Sequence, residues 1–140
     1  MRHRFQMSVD AHPGMVGEVN AAFAKFAEGN ALPADVRRSV NVAIDELLEN
    51  TLLHGQARSN PCSVTVEAEL GEDRVTVTLT DDGTPFDPFG QDPPDITLSV
   101  EDRPIGGLGI HLVTRLMNQV SYQRRDGHNV VVLVKQLVNG

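Results

Sequence analysis

Residues 63–80 read SVTVEAELGEDRVTVTLT. In the first half Val64, Val66 and Ala68 alternate with polar side chains, and in the second Val75, Val77 and Leu79 do the same. Side chains on a strand point to opposite faces with a period of two, so each half predicts a half-buried strand. Gly71 to Asp73 leaves room only for a tight connection, which makes the pair a β-hairpin with one wet and one dry face. The dry face needs cover from another layer.

That cover lies upstream. From Met15 to about Glu28 the apolar residues Val16, Val19, Phe23 and Phe26 recur at threes and fours, a helical period ended by Gly29-Asn30. A second helix is predicted from near Leu32-Pro33 to about His54, with Gly55 as its cap. Val36, Val40, Ala43, Ile44, Leu47 and Leu48 form its buried stripe. Residues 2–10 alternate loosely and predict an opening strand, broken at His12-Pro13.

Downstream, Asp81-Asp82-Gly83-Thr84-Pro85-Phe86 leads into a loop rich in Pro, Asp and Gly that reaches Arg103-Pro104. It exceeds the usual connection inside a domain, which marks residues 84–106 as a candidate lid. Gly106 to Gly109 precede a third predicted helix, about Ile110 to Asn118. Two last strands, around Val120 to Arg125 and Asn129 to Leu137, join at Asp126-Gly127. With no repeat or linker, residues 1–140 predict a single domain, an α+β sandwich with helices packed on one sheet face.

Composition narrows the function classes. The 140 residues carry 12 bases against 19 acids, a formal net charge of -7, which argues against a direct nucleic-acid partner. One cysteine, Cys62, can form neither an internal disulfide nor a zinc site and suits a reducing compartment. The opening MRHRFQMSVDA has basic residues but no apolar run after them, so no signal peptide is expected. The longest apolar stretch, Val130 to Val134, falls far short of the roughly 20 residues that cross a bilayer. A soluble, cytoplasmic protein is the expectation.

Three places could carry chemistry. Glu46 and Asn50, four residues apart, share a helix face within about 40° of one another. They sit at the rim of the buried stripe, whereas Asp45 and Glu49 fall at more exposed angles. A carboxamide offers a neutral oxygen to Mg²⁺ and a carboxylate can take a proton from a nucleophile. An ordinary polar helix face would carry the same pair. Asp81-x-Gly83 follows a strand directly: the carboxylate can accept from an exocyclic amine and the glycine admits a flat ring, although Asp-Gly is also a common turn.

The third place is Gly106-Gly107-Leu108-Gly109, whose N–H groups at a helix start could dock an anion, or which could be a plain hinge. It matches no dinucleotide fingerprint, and neither Lys25 nor Lys135 follows a glycine-rich loop. Arg103 is the nearest positive side chain in sequence. Other chemistries are poorly supported. Histidines 3, 12, 54, 111 and 128 lack a metal-ligand spacing, no Gly-x-Ser-x-Gly elbow occurs, and Cys62 reads as a packing residue.

The order of these signals is more specific than any one of them. It resembles that of the GHKL (Bergerat-fold) ATPases. Ala43 to Asn50 with His54-Gly55, Asp81 to Pro88, Arg103 to Ile110, Leu116 to Tyr122 and Asn129 to Lys135 look like the bacterial anti-sigma-factor serine/threonine kinases of partner-switching systems. The resemblance implies a two-layer sandwich with a mixed, mostly antiparallel sheet. It implies a kinase using ATP and Mg²⁺ that phosphorylates a serine of a STAS-domain anti-anti-sigma protein and holds a sigma factor, with a homodimer as a further expectation. Carried over by position, Glu46 would be the general base, Asn50 the Mg²⁺ ligand, Asp81 the reader of adenine and Gly83 the floor beneath it. Gly107, Leu108 and Gly109 would take the phosphates, with Arg103 reaching from the lid. Asn118 departs from the Asp often found in the family at a helix end. Two other readings stay open, an ATP-binding switch module without kinase activity and a GHKL-type hydrolase.

Overall fold

A computed structural model describes residues 3–55, 62–90 and 107–137 of the chain. The hairpin forms as its alternation predicts: β1 (His3–Asp10) is followed, after two helices, by β2 (Ser63–Leu70) and β3 (Arg74–Asp81), and β2 and β3 pair with Leu70 opposite Val75 and Val64 opposite Asp81. β4 (Gln119–Arg125) and β5 (His128–Gln136) make the second hairpin. Its two-residue loop has positive φ at both positions, 51° at Asp126 and 80° at Gly127, the geometry whose twist matches that of the flanking strands. The sheet order is β1-β2-β3-β5-β4.

Every pairing is antiparallel, so the described sheet is not mixed. Topology explains why. Between β1 and β2 the chain passes through two helices, α1 (Met15–Gly29) and α2 (Ala34–Asn50). Two antiparallel helices return the chain to the end where β1 stopped, so β2 runs back beside it. Between β3 and β4 the described residues hold one α-helix, α3 (Gly107–Leu116), but β5 inserts between those two strands.

Register sorts the sheet into two unlike faces. Phe5, Ala68, Val77, Leu133 and Val120 form one row across the helix-covered face, and Met7, Val66, Leu79, Val131 and Tyr122 form the next. Against these rows lie Val19 and Phe23 of α1, Val40, Ile44 and Leu48 of α2 and Val113 of α3, all buried. Burying such a side chain is worth about 1.5–3 kcal/mol, so this single layer carries most of the folding energy. Phe5, Phe23 and Phe26 add an aromatic cluster, with Phe5 and Phe23 edge to face at 6.0 Å. The opposite face is polar along β3 (Thr76, Thr78, Thr80) and carries half-buried valines 130, 132 and 134 along β5.

Helix ends differ from expectation in three places. α1 includes Gly29, and the left-handed turn after it falls on Ala31 (φ 54°), with Leu32 N–H donating to Ala27 O at 3.0 Å. α2 keeps its α-helical bonding only to Asn50, then widens into a π-turn over Thr51–Gly55. α3 begins at Gly107 rather than near Ile110, because the first turn of a helix owes no hydrogen bonds upstream and so tolerates glycine there. The far end of α3 is capped by Lys135, whose Nζ donates to Leu116 O at 2.7 Å. Of the candidate lid, Thr84 to Gly90 is described and ends in a 3-10 turn at Pro88–Gly90; the remainder, with Arg103, lies outside the described residues. No described helix is long and apolar enough to cross a membrane.

Candidate functional site

The row of the sheet nearest the end of β3 breaks the apolar pattern. Val64, Asp81 and Asn129 stand side by side where the rows beyond them hold only valine, leucine and alanine at the centre. Asn129 is 4% exposed, and a buried carboxamide is tolerated only when its hydrogen bonds are made. Here they are. Its Nδ2 donates to Asp81 Oδ1 at 3.0 Å and to Thr84 O at 2.9 Å, and its Oδ1 accepts from Tyr122 Oη at 2.6 Å and from Phe86 N–H at 3.2 Å.

Asp81 is thereby fixed. Its Oδ1 accepts from Asn129 and also from Gly83 N–H at 3.0 Å, while Oδ2 carries no hydrogen bond among the described residues. Gly83 is buried beneath this turn, and its carbonyl accepts from Arg124 Nη1 at 2.9 Å. The neighbouring Asp82 turns the other way and accepts from Ser63 N–H at 2.7 Å, a bond that holds its carboxyl below the usual range. Cys62 lies behind Asp81, buried, its thiol pushed up to about 12 by burial and then by the two carboxylates.

Asn50, the last residue of α2, lines the same cleft as Asp81, Phe86 and Asn129, between the apolar walls of Leu47 and Leu79. The arrangement sets one carboxylate oxygen without a hydrogen bond among the described residues, and one carboxamide, between apolar walls. Its polar groups match an exocyclic amine, while the cavity itself, about 20 Å³, holds no more than a water and must widen to take a ring. The described residues contain no cluster of three His, Cys, Asp or Glu that would cage a metal by itself. Mg²⁺ is ordinarily held by one or two side-chain oxygens with phosphate oxygens and water, and the nine-tenths-buried Asn50 fits that lighter role.

Glu46 sits one helical turn before Asn50, half-buried, with its carboxylate against Gly109 in the first turn of α3. Burial, and then the nearby Glu49, raise its pKa above the ordinary glutamate value, the direction that strengthens a base. Asp45 departs from expectation. It does not point outward but packs toward α1, where Asn20 Nδ2 donates to both its oxygens at 3.1 and 3.0 Å. Burial, then repulsion from Glu46 and Glu49, lift its carboxyl to about 6 despite those bonds.

Of the residues singled out in the sequence, Asn50 and Asp81 meet at the cleft, Gly83 braces Asp81 from the turn behind it, and Glu46 meets Gly109. Gly107 and Leu108 lie in the first turn of α3, and Arg103 lies outside the described residues. Asn129, Tyr122 and Arg124 were not singled out. The signal for Asn129 was present: it occupies the buried phase of the alternation that continues through Val131 and Leu133.

Comparison with known proteins gives matches over most of the chain. The model of the family described as histidine kinase-like ATPase domain matches residues 9–135. The serine/threonine-protein kinase BtrW of Bordetella bronchiseptica is 30% identical over 71% of this chain and 70% of its own length. The serine-protein kinase RsbW of Bacillus subtilis is 28% identical over 96% of this chain and 86% of its own. The anti-sigma F factor of Clostridium beijerinckii is 26% identical over 86% of this chain and 87% of its own. Among solved structures, the RsbU and RsbW domains of Rv1364c from Mycobacterium tuberculosis share the fold at a TM-score of 0.70 and 16% identity, over 99% of this chain and 33% of that one.

Proposed function

The chain belongs to the histidine kinase-like ATPase domain family, and from that premise we propose that it is an ATP- and Mg²⁺-dependent protein serine/threonine kinase acting as an anti-sigma regulatory factor. Its substrate is a serine of a STAS-domain anti-anti-sigma protein, and its second partner is a sigma factor, held until the unphosphorylated antagonist competes for the kinase. The names of the relatives support the kinase and anti-sigma halves of this reading. The observation that carries it is the cleft in which Asp81, locked by Asn129 and Gly83, faces Asn50 one helical turn beyond Glu46.

The chain's own groups divide the work. Asp81 Oδ2 accepts from the amino group of adenine, with Oδ1 already committed to the protein. Asn50 gives its side-chain oxygen to Mg²⁺, which when bound neutralises charge on the phosphates. The first turn of α3 presents its N–H groups to those phosphates. Glu46 takes the proton of the substrate serine as the hydroxyl oxygen bonds to the γ-phosphorus and ADP leaves. Phosphoryl transfer is mostly positioning and charge neutralisation, so a list this short suffices.

Calorimetry with ATP, with and without Mg²⁺, on wild type, Asn50→Ala and Asp81→Asn tests the site. Magnesium-dependent binding that both variants lose is the expected result, and absence of binding to the wild type would overturn it. Labelled γ-phosphate should then pass to one of the STAS-domain proteins encoded in the same genome, and Glu46→Ala should stop the transfer. Binding without transfer to any of them would leave the switch module. Brisk release of free phosphate by the isolated protein would favour the hydrolase.

A further inference from the structure

We infer that Gly109 is a positioning residue for Glu46: its missing side chain opens the space in which the Glu46 carboxylate is held, and this, rather than cradling phosphate, is why glycine stands there. The inference rests on the reading of Glu46 as the base. Built onto the backbone, a Cβ at Gly109 would fall on Glu46 Oε2, 2.7 Å from Cδ and 3.4 Å from Cγ. The obstruction is therefore the reacting end of one side chain, and among the described residues no other comes as close. Other described glycines are less obstructed: Gly17, Gly29 and Gly127 face open space, Gly71 and Gly90 would meet their nearest atoms at 3.5 and 3.3 Å, and Gly14 would come within 2.9 Å of the exposed His12 ring.

Backbone conformation does not explain the residue. Gly109 lies inside the first turn of α3, and Gly127 is the only described glycine with positive φ. Glycine costs about 1 kcal/mol relative to alanine in a helix interior and less in the first turn, so alanine here would still suit α3 slightly better than what is present. The helix gives up that stability and gains room for the carboxylate. α2 and α3 pack against one another, so α3 fixes where Glu46 can sit relative to Asn50. A cradling role would need only the N–H of residue 109, which alanine also has.

The test is Gly109→Ala. The carboxylate is the free end of a flexible side chain, so the variant should fold, with Glu46 turned aside by more than 1 Å. A reacting group misplaced by that much loses about 100-fold in rate. Three readouts follow. The Kd for Mg-ATP should rise far less than the transfer rate falls, because the N–H of residue 109 is retained. Single-turnover phosphorylation of the STAS-domain protein that the wild type modifies should fall about 100-fold, with the KM for ATP unchanged. In ¹³C NMR titration, the Glu46 carboxyl of the variant should move down toward the ordinary glutamate pKa, because it has left its desolvated place.

Loss of ATP binding in parallel with transfer would overturn the inference in favour of the phosphate cradle. An unchanged titration, unchanged transfer, or a variant that does not fold would overturn it too. Should the wild type phosphorylate no STAS-domain protein, the kinase reading fails by itself, and the titration still decides whether residue 109 holds Glu46 in place.

Discussion

Replacing Asn129 by leucine keeps the side-chain volume and removes every polar bond the carboxamide makes. Four hydrogen bonds go: two donated, to Asp81 Oδ1 and Thr84 O, and two accepted, from Tyr122 Oη and Phe86 N–H. The neutral bonds are worth about 1 kcal/mol each and the one to the carboxylate about 2. Asp81 keeps Gly83 N–H, and Tyr122 is only partly buried, so water recovers some of the loss. The new methyl groups, next to Val131, return about one bond's worth of burial energy. The net is a destabilisation of about 3 kcal/mol, or about 10 °C in Tm for a domain of this size. Urea unfolding followed by circular dichroism measures it, and m should not change, since the folded state stays as compact. Mg-ATP binding should weaken as well, because Asp81 is then held only by Gly83 N–H and the long contact from the Cys62 thiol. A loss below about 1 kcal/mol, or full stability loss with unaltered ATP affinity, would refute the claim that Asn129 organises the adenine end of the cleft.

Three further outcomes are expected. Asp45 has its pKa raised to about 6 in the folded protein from an ordinary 3.8, so folding takes up a proton in the window between those values. Stability from this group therefore grows as pH falls through 6 toward 4; the half-open site screens the effect to about 1 kcal/mol, and Asp45→Asn should flatten the pH dependence of Tm. Cys62, buried and with its thiol pushed up to about 12, should resist iodoacetamide at pH 8 in the native protein and react at once in urea; equal rates in both would contradict its placement. Ala31→Gly should stabilise the protein by about 1 kcal/mol, read by thermal melts, because a non-glycine residue now occupies the left-handed turn after α1.

Much of the fold was legible because the sheet has one dry face. Alternation through Val64, Val66 and Ala68, and through Val75, Val77 and Leu79, reports burial on one side directly, and the buried residues are those. Helix stripes were legible to within one angular step: Val16 and Phe26, expected inside, lie at the border, and Met15 and Ala27 are in. What periodicity cannot encode is which neighbour covers a rim. Asp45 looked exposed on its own helix, and only α1, arriving with Asn20, makes it half-buried. The same limit hid the contact of Glu46 with Gly109, since nothing local to either residue tells that α2 and α3 touch there. Asn129 was readable in principle, but a polar residue near a hairpin turn is usually solvent-facing, and parity alone marks it as inward.

The rung that joins Asp81 to Asn129 has a kinetic meaning as well. These residues stand 48 positions apart, and Asn50 is more distant still from Asn129. No local segment contains enough of the cleft to hold a nucleotide. Contacts of such long sequence separation form only after the loop-closure entropy of the intervening chain has been overcome. A slip of β5 by one residue would also carry Asn129 to the far face and put Val130 in its place. On the proposed reading of the cleft, nucleotide affinity regained during refolding therefore serves as a proofreading signal, reporting chains that have closed in the correct register.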